Sequence, residues 1–468
     1  MDEKSAFLGT DNIRKLLFKL STPIVIGMLV QAIYNVVDTF FVGMVYGADD
    51  VQAIGGLSIA FPIQMMVMAF GIMLGTGGSS IISRALGARE NEKAERVLGN
   101  VFSLSLILSV LIAIPCLLYL SPILKVFGAT AGVLPYAIDY LKYIILGGTV
   151  FVFGIAVQNI VRSEGNARLA MNAMLVGGGL NIFLDPFFMF GFGMGVKGAA
   201  IATVISQAIA SVWLLLYYLK GKGAVRFRSE TLKPDLEIVK EIVTIGIGSF
   251  VMQCSSSFMM IFVFNALATY GGDGAIAVFG VIIKVNSFIF MSLLGMGFGL
   301  QPIVGFNYGA KKYGRIAEAV KLSLAATTAI GTLGLLIILL FKEQILGLFS
   351  ADPQYLEIGK SAITIMLLGM PLVGMNVITS ILFQALGKAR PAFLLSISRQ
   401  LLFLIPLVTF LPGFYQLNGV WVAFPVSDFL AFLLSGFLLF RVYKVFKEYK
   451  ESSKTATGSE TADQISSI

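Results

Sequence analysis

Two short stretches of this sequence place carboxylates and amides at the spacing of successive helical turns. They are Gln31, Asn35 and Asp38 in one stretch, and Asn181 and Asp185 in the other. Residues three or four apart lie on the same face of a helix, so each stretch predicts a helix with a polar face. Oxygen atoms grouped in this way are ligands for a hard cation, and two carboxylates brought close together also bind a proton between them.

Pro186 directly follows the second stretch. Proline has no N–H, and its ring pushes away the carbonyl group four residues earlier, here that of Ile182. The sequence therefore predicts a kink that leaves a free backbone oxygen beside Asp185. One interpretation is a binding site for a coupling ion. The alternative is a pair of structural carboxyl groups whose hydrogen bonds lock neighbouring helices together.

The composition indicates what kind of element carries these residues. Of 468 residues, 57% are hydrophobic and 13% are charged; the charged share is about half the ~25% usual in soluble domains. So little charge cannot cover a soluble surface, which indicates an all-α integral membrane protein. There is no histidine, which excludes Ser-His catalysis and His-ligated metals. The single cysteines Cys116 and Cys254 indicate neither a disulfide framework nor a metal cluster.

Apolar runs long enough to span a bilayer predict twelve transmembrane helices. They lie at 14–44, 52–83, 97–120, 134–160, 169–190, 196–219, 238–268, 275–305, 316–341, 355–384, 391–411 and 418–440. Most of the 34 lysines and arginines fall in alternate connections and in the two tails. By the positive-inside rule, this distribution predicts that both termini lie in the cytoplasm. We expect a multi-pass protein of the plasma membrane. The net charge of +8 is thus explained by the orientation of the chain in the membrane. We therefore expect no nucleic-acid partner.

Several segments recur at an offset near 222 residues. Residues 86–89 match 308–311, and residues 165–168 match 387–390. The repeat predicts two pseudo-symmetric six-helix lobes, an arrangement that favours transport by rocking of the lobes. The predicted organisation is an N-terminal tail 1–13, an N-lobe 14–220, a linker 221–237, a C-lobe 238–448 and a disordered tail 449–468.

The second lobe has three ionisable residues at membrane depth, namely Lys284, Arg399 and Asp428. Charges inside a bilayer are costly, so each requires a partner or a function. They are candidates for a buried ion pair or for contacts with a substrate. The 19 methionines and 38 phenylalanines either line an adaptable cavity or pack in the core and against lipid.

The chain resembles the multidrug and toxic compound extrusion (MATE) family of efflux transporters over nearly its whole length. The motifs that carry this resemblance are Pro23 followed by Gln31, Asn35 and Asp38; the loops 86–89 and 165–168; the run from Asn181 to Asp185 and Pro186; and the segment 198–203. The resemblance implies a twelve-helix, two-lobe antiporter that expels organic, often cationic compounds in exchange for H⁺ or Na⁺. It implies no enzyme activity, no cofactor and no ATP, and we expect a monomer.

The resemblance also implies which residues hold the coupling cation. They are Asp38, Asn181, Asp185 and Thr203, with Gln31, Asn35 and Pro186 as supporting residues, and the same four would ligate the ion if it is Na⁺. The family branch that also uses acids in the second lobe is a poorer match, because residues 253–255 and 375–376 contain no Asp or Glu. The better match is the branch of DNA-damage-inducible protein F and the staphylococcal-type multidrug pumps.

Two other functions compete with efflux. A lipid-linked saccharide flippase of the wider superfamily would need cationic residues for a pyrophosphate, and the only intramembrane cations we identify, away from the span ends, are Lys284 and Arg399. An intramembrane enzyme would have to use a carboxylate pair such as Asp38 and Asp185 for acid–base chemistry. Transport of an unmodified dye by the purified protein separates these alternatives.

Overall fold

The computed structural model describes residues 3–46, 51–349 and 352–452. These residues form helices and turns, and none of them lies in a β-strand. Within these described ranges, ten helices are long and apolar enough to cross a membrane, and two bent helix pairs bring the number to twelve when each pair counts as one span. The all-helical membrane fold predicted from the composition is confirmed.

We number the spans α1–α12 in chain order. The first six are α1 Ile13–Tyr46, α2 Val51–Ala88, α3 Asn91–Leu118, α4 the pair Leu134–Leu146 and Gly148–Ser163, α5 Ala167–Gly191, and α6 Gly195–Leu219. The other six are α7 Leu236–Tyr270, α8 Gly272–Gly309, α9 Tyr313–Leu340, α10 the pair Pro353–Met366 and Met370–Ala385, α11 Ala389–Phe410, and α12 Pro412–Ser452.

The bends of α4 and α10 refine the predicted runs 134–160 and 355–384, each of which consists of two helices. The two parts of α4 meet at 54° and those of α10 at 47°. The break in α4 lies at Gly147 and Gly148, and adjacent glycines are poor helix formers. The break in α10 includes Gly369 and precedes Pro371, whose ring fits only the first turn of a new helix.

The chain packs as two compact units. The first comprises Ile26–Cys254 with the residues before Leu8, and the second comprises Leu8–Val25 with the chain from Ser255. The units therefore divide within α1 and within α7, rather than in the linker 221–237. The lobe boundaries 14–220 and 238–448 remain a prediction, and most of the tail 449–468 lies outside the described residues.

The two divided helices begin in the same way. The Asn12 side-chain oxygen accepts hydrogen bonds from the backbone N–H of Arg14 and Lys15, at 3.0 and 3.5 Å. Asp235 does the same for α7, at 3.0 and 3.5 Å from the nitrogens of the second and third residues after it. Both residues are N-caps. Desolvation opposes the ionised form of Asp235, but these two N–H donors and the Arg96 guanidinium together lower its pKa.

Close backbone contacts fix both divided helices within their units. In the first unit, a Cβ atom on Gly77 of α2 would overlap the carbonyl group of Ile242 in α7, and one on Gly246 would overlap that of Met73. In the second unit, a Cβ atom on Gly299 of α8 would lie 2.7 Å from the Cα atom of Ser21 in α1. Small residues allow such an approach, which packs helices tightly where lipid supplies no hydrophobic driving force.

We expect the substitution Gly299→Ala to lower the thermal stability of the protein, because the added methyl group has no space beside Ser21. Overpacking of this kind costs about 1–3 kcal/mol. Gly280→Ala on the same helix is the matched control, since no heavy atom outside α8 and its own neighbours lies within 4 Å of the added Cβ. It should be neutral or stabilising by up to about 1 kcal/mol. Thermal unfolding in detergent measures both, and equal midpoints would contradict the close contact.

Candidate functional site

The helix α5 is built to place its last turns deep in the first unit. Gly165, with φ of 88°, turns the chain out of α4. Asn166 then caps α5 by accepting a hydrogen bond from the N–H of Leu169, at 3.2 Å. The α-helical part of α5 ends at Pro186 and continues as a π-helical turn, Phe187–Gly191. A π-helical turn is frequent at functional sites, and here it begins two residues after Asp185.

Three of the predicted site residues form one buried cluster in the first unit. The Asn181 side-chain amide donates to Oδ1 of Asp185 at 2.9 Å and to Oγ1 of Thr203 at 3.3 Å. The Thr203 hydroxyl in turn donates to the Ala199 carbonyl at 2.8 Å. Asn181, Asp185 and Thr203 are 2%, 1% and 6% exposed. The structure thus joins α5 to α6 through a carboxylate, an amide and a hydroxyl.

The chemistry of the cluster suits a small cation. The Asn181 amide nitrogen uses its donors on Asp185 and Thr203, while its Oδ1 atom is buried and accepts no hydrogen bond from the described residues. Burial makes the ionised form of the Asp185 carboxylate costly, so binding a proton or Na⁺ would stabilise it. Within the described ranges, no three His, Cys, Asp or Glu side chains are grouped to hold a metal ion. A Na⁺ ion would therefore need mixed carboxylate, amide and hydroxyl ligands.

The structure describes only some of the other residues predicted for this site. The backbone of Asn35 and Asp38 belongs to α1, but their side chains lie outside the described part of the chain. Gln31 is partly buried on the same helix. Pro186 marks the change from α-helical to π-helical backbone, so the predicted disturbance of α5 takes this form.

In the second unit, two of the three predicted charged residues meet. Arg399 Nε donates to Oδ1 of Asp428 at 2.6 Å. The Arg399 guanidinium carbon also lies 5.9 Å from the centre of the Phe290 ring. Lys284 is exposed and makes no ion pair with any described residue. The structure therefore pairs Arg399 with Asp428 and leaves Lys284 outside the pair.

Sequence reasoning missed the buried carboxylate of Glu164 in the first unit. Glu164, 3% exposed at the end of α4, accepts a hydrogen bond from the Tyr218 hydroxyl at 2.8 Å and one from the Ala224 N–H at 2.9 Å. It thereby fixes the chain that leaves α6. The sequence offers no local signal for this contact, because the partners lie 54 and 60 residues away.

In the described part of the chain, up to twelve apolar spans enclose a buried polar cluster, and this combination is typical of a multi-pass membrane transporter. The chain belongs to the MatE family, because the family model matches residues 23–187 and 247–410. One model matching two successive segments agrees with the repeat at an offset near 222. The family predicted from the motifs is confirmed.

Similar proteins cover almost the whole chain. The multidrug export protein MepA of Staphylococcus haemolyticus is 28% identical over 439 residues, 94% of this chain and 96% of that protein. MepA of Staphylococcus aureus is 26% identical with the same coverage.

Among solved structures, the MATE multidrug transporter DinF-BH is 43% identical with a TM-score of 0.87, covering 94% of this chain and 98% of that one. An outward-facing MATE-family transporter is 30% identical with a TM-score of 0.89, covering 95% and 99%.

Proposed function

We propose that this protein is a secondary multidrug exporter that expels organic, often cationic compounds in exchange for H⁺ or Na⁺. Its relatives carry the names of multidrug export proteins, which supports export rather than an enzyme reaction. The observation that carries the ion-coupled part of the proposal is the buried cluster of Asn181, Asp185 and Thr203. A carboxylate held at membrane depth next to neutral oxygens is suited to bind and release one cation per cycle.

The proposed coupling site consists of this cluster together with Asp38 of α1. Asp38 lies one and two helical turns from Asn35 and Gln31 on the same face of the helix. The two carboxylates supply the charge that the imported cation neutralises, and Thr203 and Asn181 supply neutral ligands. Binding of the cation would then change the charge of the first unit. This change of charge is the step by which ion import is linked to substrate release.

Three further parts of the proposal concern the cellular setting. The positive charge in alternate connections supports the plasma membrane as the location and the cytoplasm as the side of both termini. The energy source is the ion gradient alone, without ATP. The working unit is a monomer, since the twelve spans supply both repeats in one chain.

Dye efflux from proteoliposomes tests the proposal. The purified protein is reconstituted, a fluorescent cationic dye is enclosed, and either a pH gradient or a Na⁺ gradient is imposed. We expect efflux above that of protein-free liposomes with one of the two gradients, abolished by the ionophore that dissipates it. The control variant Asp139→Asn removes an exposed carboxylate of α4 and should behave as wild type. Efflux at the same rate with and without both gradients would contradict ion coupling.

A further inference from the structure

The ion pair of the second unit joins two helices that correspond in their order to the helices of the buried cluster in the first unit. Arg399 is on α11 and Asp428 on α12, which correspond in order to α5 and α6. Both α5 and α11 also contain π-helical backbone, Phe187–Gly191 in one and Ser398–Leu404 in the other. The π-helical turn of α11 contains Arg399, whereas that of α5 contains no charged residue. This difference in charge indicates a difference in what the two units bind.

The position of Arg399 excludes the membrane surface as its environment. It lies about midway along α11, Ala389–Phe410, roughly 15 Å of helix from either end at 1.5 Å per residue. Lipid phosphates lie at the membrane surface and not at this depth. Charged side chains in membrane spans face the bundle interior or a water-filled cavity. The Arg399 side chain is 18% exposed, and a charged group is costly to expose to lipid tails at this depth.

Asp428 contacts the Arg399 guanidinium along one edge only, at Nε. Nε donates to Asp428, whose side chain is 2% exposed, and the Phe290 ring lies beside the guanidinium. Neither Nη atom of Arg399 has an acceptor among the described residues. Guanidinium N–H groups in this fork match the two oxygens of a carboxylate. An arginine fixed through Nε, with both Nη atoms available, is preorganised to bind such a group.

The backbone around the pair makes room for the buried carboxylate. Gly369 lies at the break of α10, and a Cβ atom there would overlap the Asp428 side chain. The neighbouring residue of Arg399 is fixed as well, since Gln400 exchanges hydrogen bonds with Ser256 of α7 at 2.8 and 3.1 Å. Asp428 of α12 and Phe290 of α8 contact the guanidinium itself, while α7 and α10 contact its neighbours Gln400 and Asp428.

We propose that Arg399 binds the carboxylate of anionic or zwitterionic aromatic substrates, with Asp428 as a positioning residue. The substrate's carboxylate meets the two Nη groups, and an aromatic part of the substrate meets the neighbouring Phe290 ring. Because Asp428 offsets the charge of Arg399, the bound carboxylate is held by directed hydrogen bonds rather than by a full unpaired charge, and it can be released. This proposal rests on the proposed function, as it names a substrate class for the exporter.

The test uses a matched pair of probes, a xanthene dye with a free carboxyphenyl group and the methyl ester of the same dye. Fluorescence anisotropy measures the binding of both to the full-length protein in lipid nanodiscs. We expect Arg399→Gln to weaken binding of the acid about tenfold or more, and binding of the ester less than about twofold. Arg441→Gln, which removes an exposed arginine 4.5 Å from the Phe437 ring, is the matched control and should change neither.

Two further variants keep the test informative if Arg399→Gln does not fold. Arg399→Lys keeps the charge but not the fork, and Gly369→Ala displaces the Asp428 carboxylate. Each should lower the acid-to-ester affinity ratio, which a general loss of stability does not change. Equal effects on acid and ester, or competition by anionic lipid in the nanodisc, would overturn the proposal. Failure of ion-driven efflux with the affinity ratio still dependent on Arg399 would instead overturn the proposed function alone.

Discussion

Replacing Asp185 by asparagine is expected to abolish gradient-driven efflux while leaving a folded protein. Asparagine keeps the size of the side chain and an oxygen that accepts the 2.9 Å hydrogen bond from Asn181. It cannot gain and lose charge, so import of the cation no longer drives the cycle. A pH difference of one unit supplies about 1.4 kcal/mol, or about a tenfold concentration ratio for each proton exchanged. In the variant this ratio should fall to one.

Dye accumulation in proteoliposomes under an imposed gradient measures this ratio, with Asp139→Asn as the control. The thermal unfolding midpoint of Asp185→Asn should equal or exceed that of wild type, because a buried amide costs less desolvation than a buried carboxylate. Asp38→Asn is expected to have the same effect on transport. Normal accumulation by either variant would remove that residue from the coupling site.

The second large effect concerns the membrane potential. One charge that crosses about 100 mV gains about 2.3 kcal/mol, equivalent to roughly a 50-fold concentration ratio. Exchange of one monovalent cationic dye for one proton is electroneutral and gains nothing from the voltage. Two carboxylates, Asp38 and Asp185, allow two cations to enter per dye molecule expelled. We therefore expect efflux of a monovalent cationic dye to be electrogenic and to rise steeply with an inside-negative potential.

Valinomycin with defined K⁺ gradients sets the potential in the proteoliposomes, and the final dye ratio is recorded at several values. The voltage dependence should correspond to one net charge per dye molecule. A ratio that does not change with potential would mean one-for-one exchange, and the second carboxylate would then have another role.

Local spacing was enough to predict part of the site. Asn181 and Asp185 are four residues apart, and this spacing alone places them in contact on α5. Thr203 lies on the next helix, and only the resemblance to a known family connected it with them. Pro186 predicted a kink, and the structure instead shows a change from α-helical to π-helical backbone at this residue.

Contacts between distant segments could not be predicted. The sequence of α1 reads as one uniform apolar span, yet its first part up to Val25 packs in one unit and the rest in the other. This division depends on which helices approach Ser21 and Gly299. Such tertiary contacts leave no periodic pattern in the local sequence. Likewise, Arg399 and Asp428 were candidates for pairing because isolated charges are costly in a membrane. Nothing in their spacing of 29 residues distinguished that pair from one involving Lys284.

The most direct test of ion-coupled export is the reverse measurement, in which the dye drives the ion. Proteoliposomes with equal pH and equal Na⁺ on both sides receive an outward gradient of dye, and internal pH or Na⁺ is followed with a fluorescent indicator. Coupled exchange predicts that dye leaving the vesicle pulls H⁺ or Na⁺ inward against its own rising gradient, and that Asp185→Asn shows no such uptake. Dye that leaves through the wild-type protein without any movement of either ion would contradict the account.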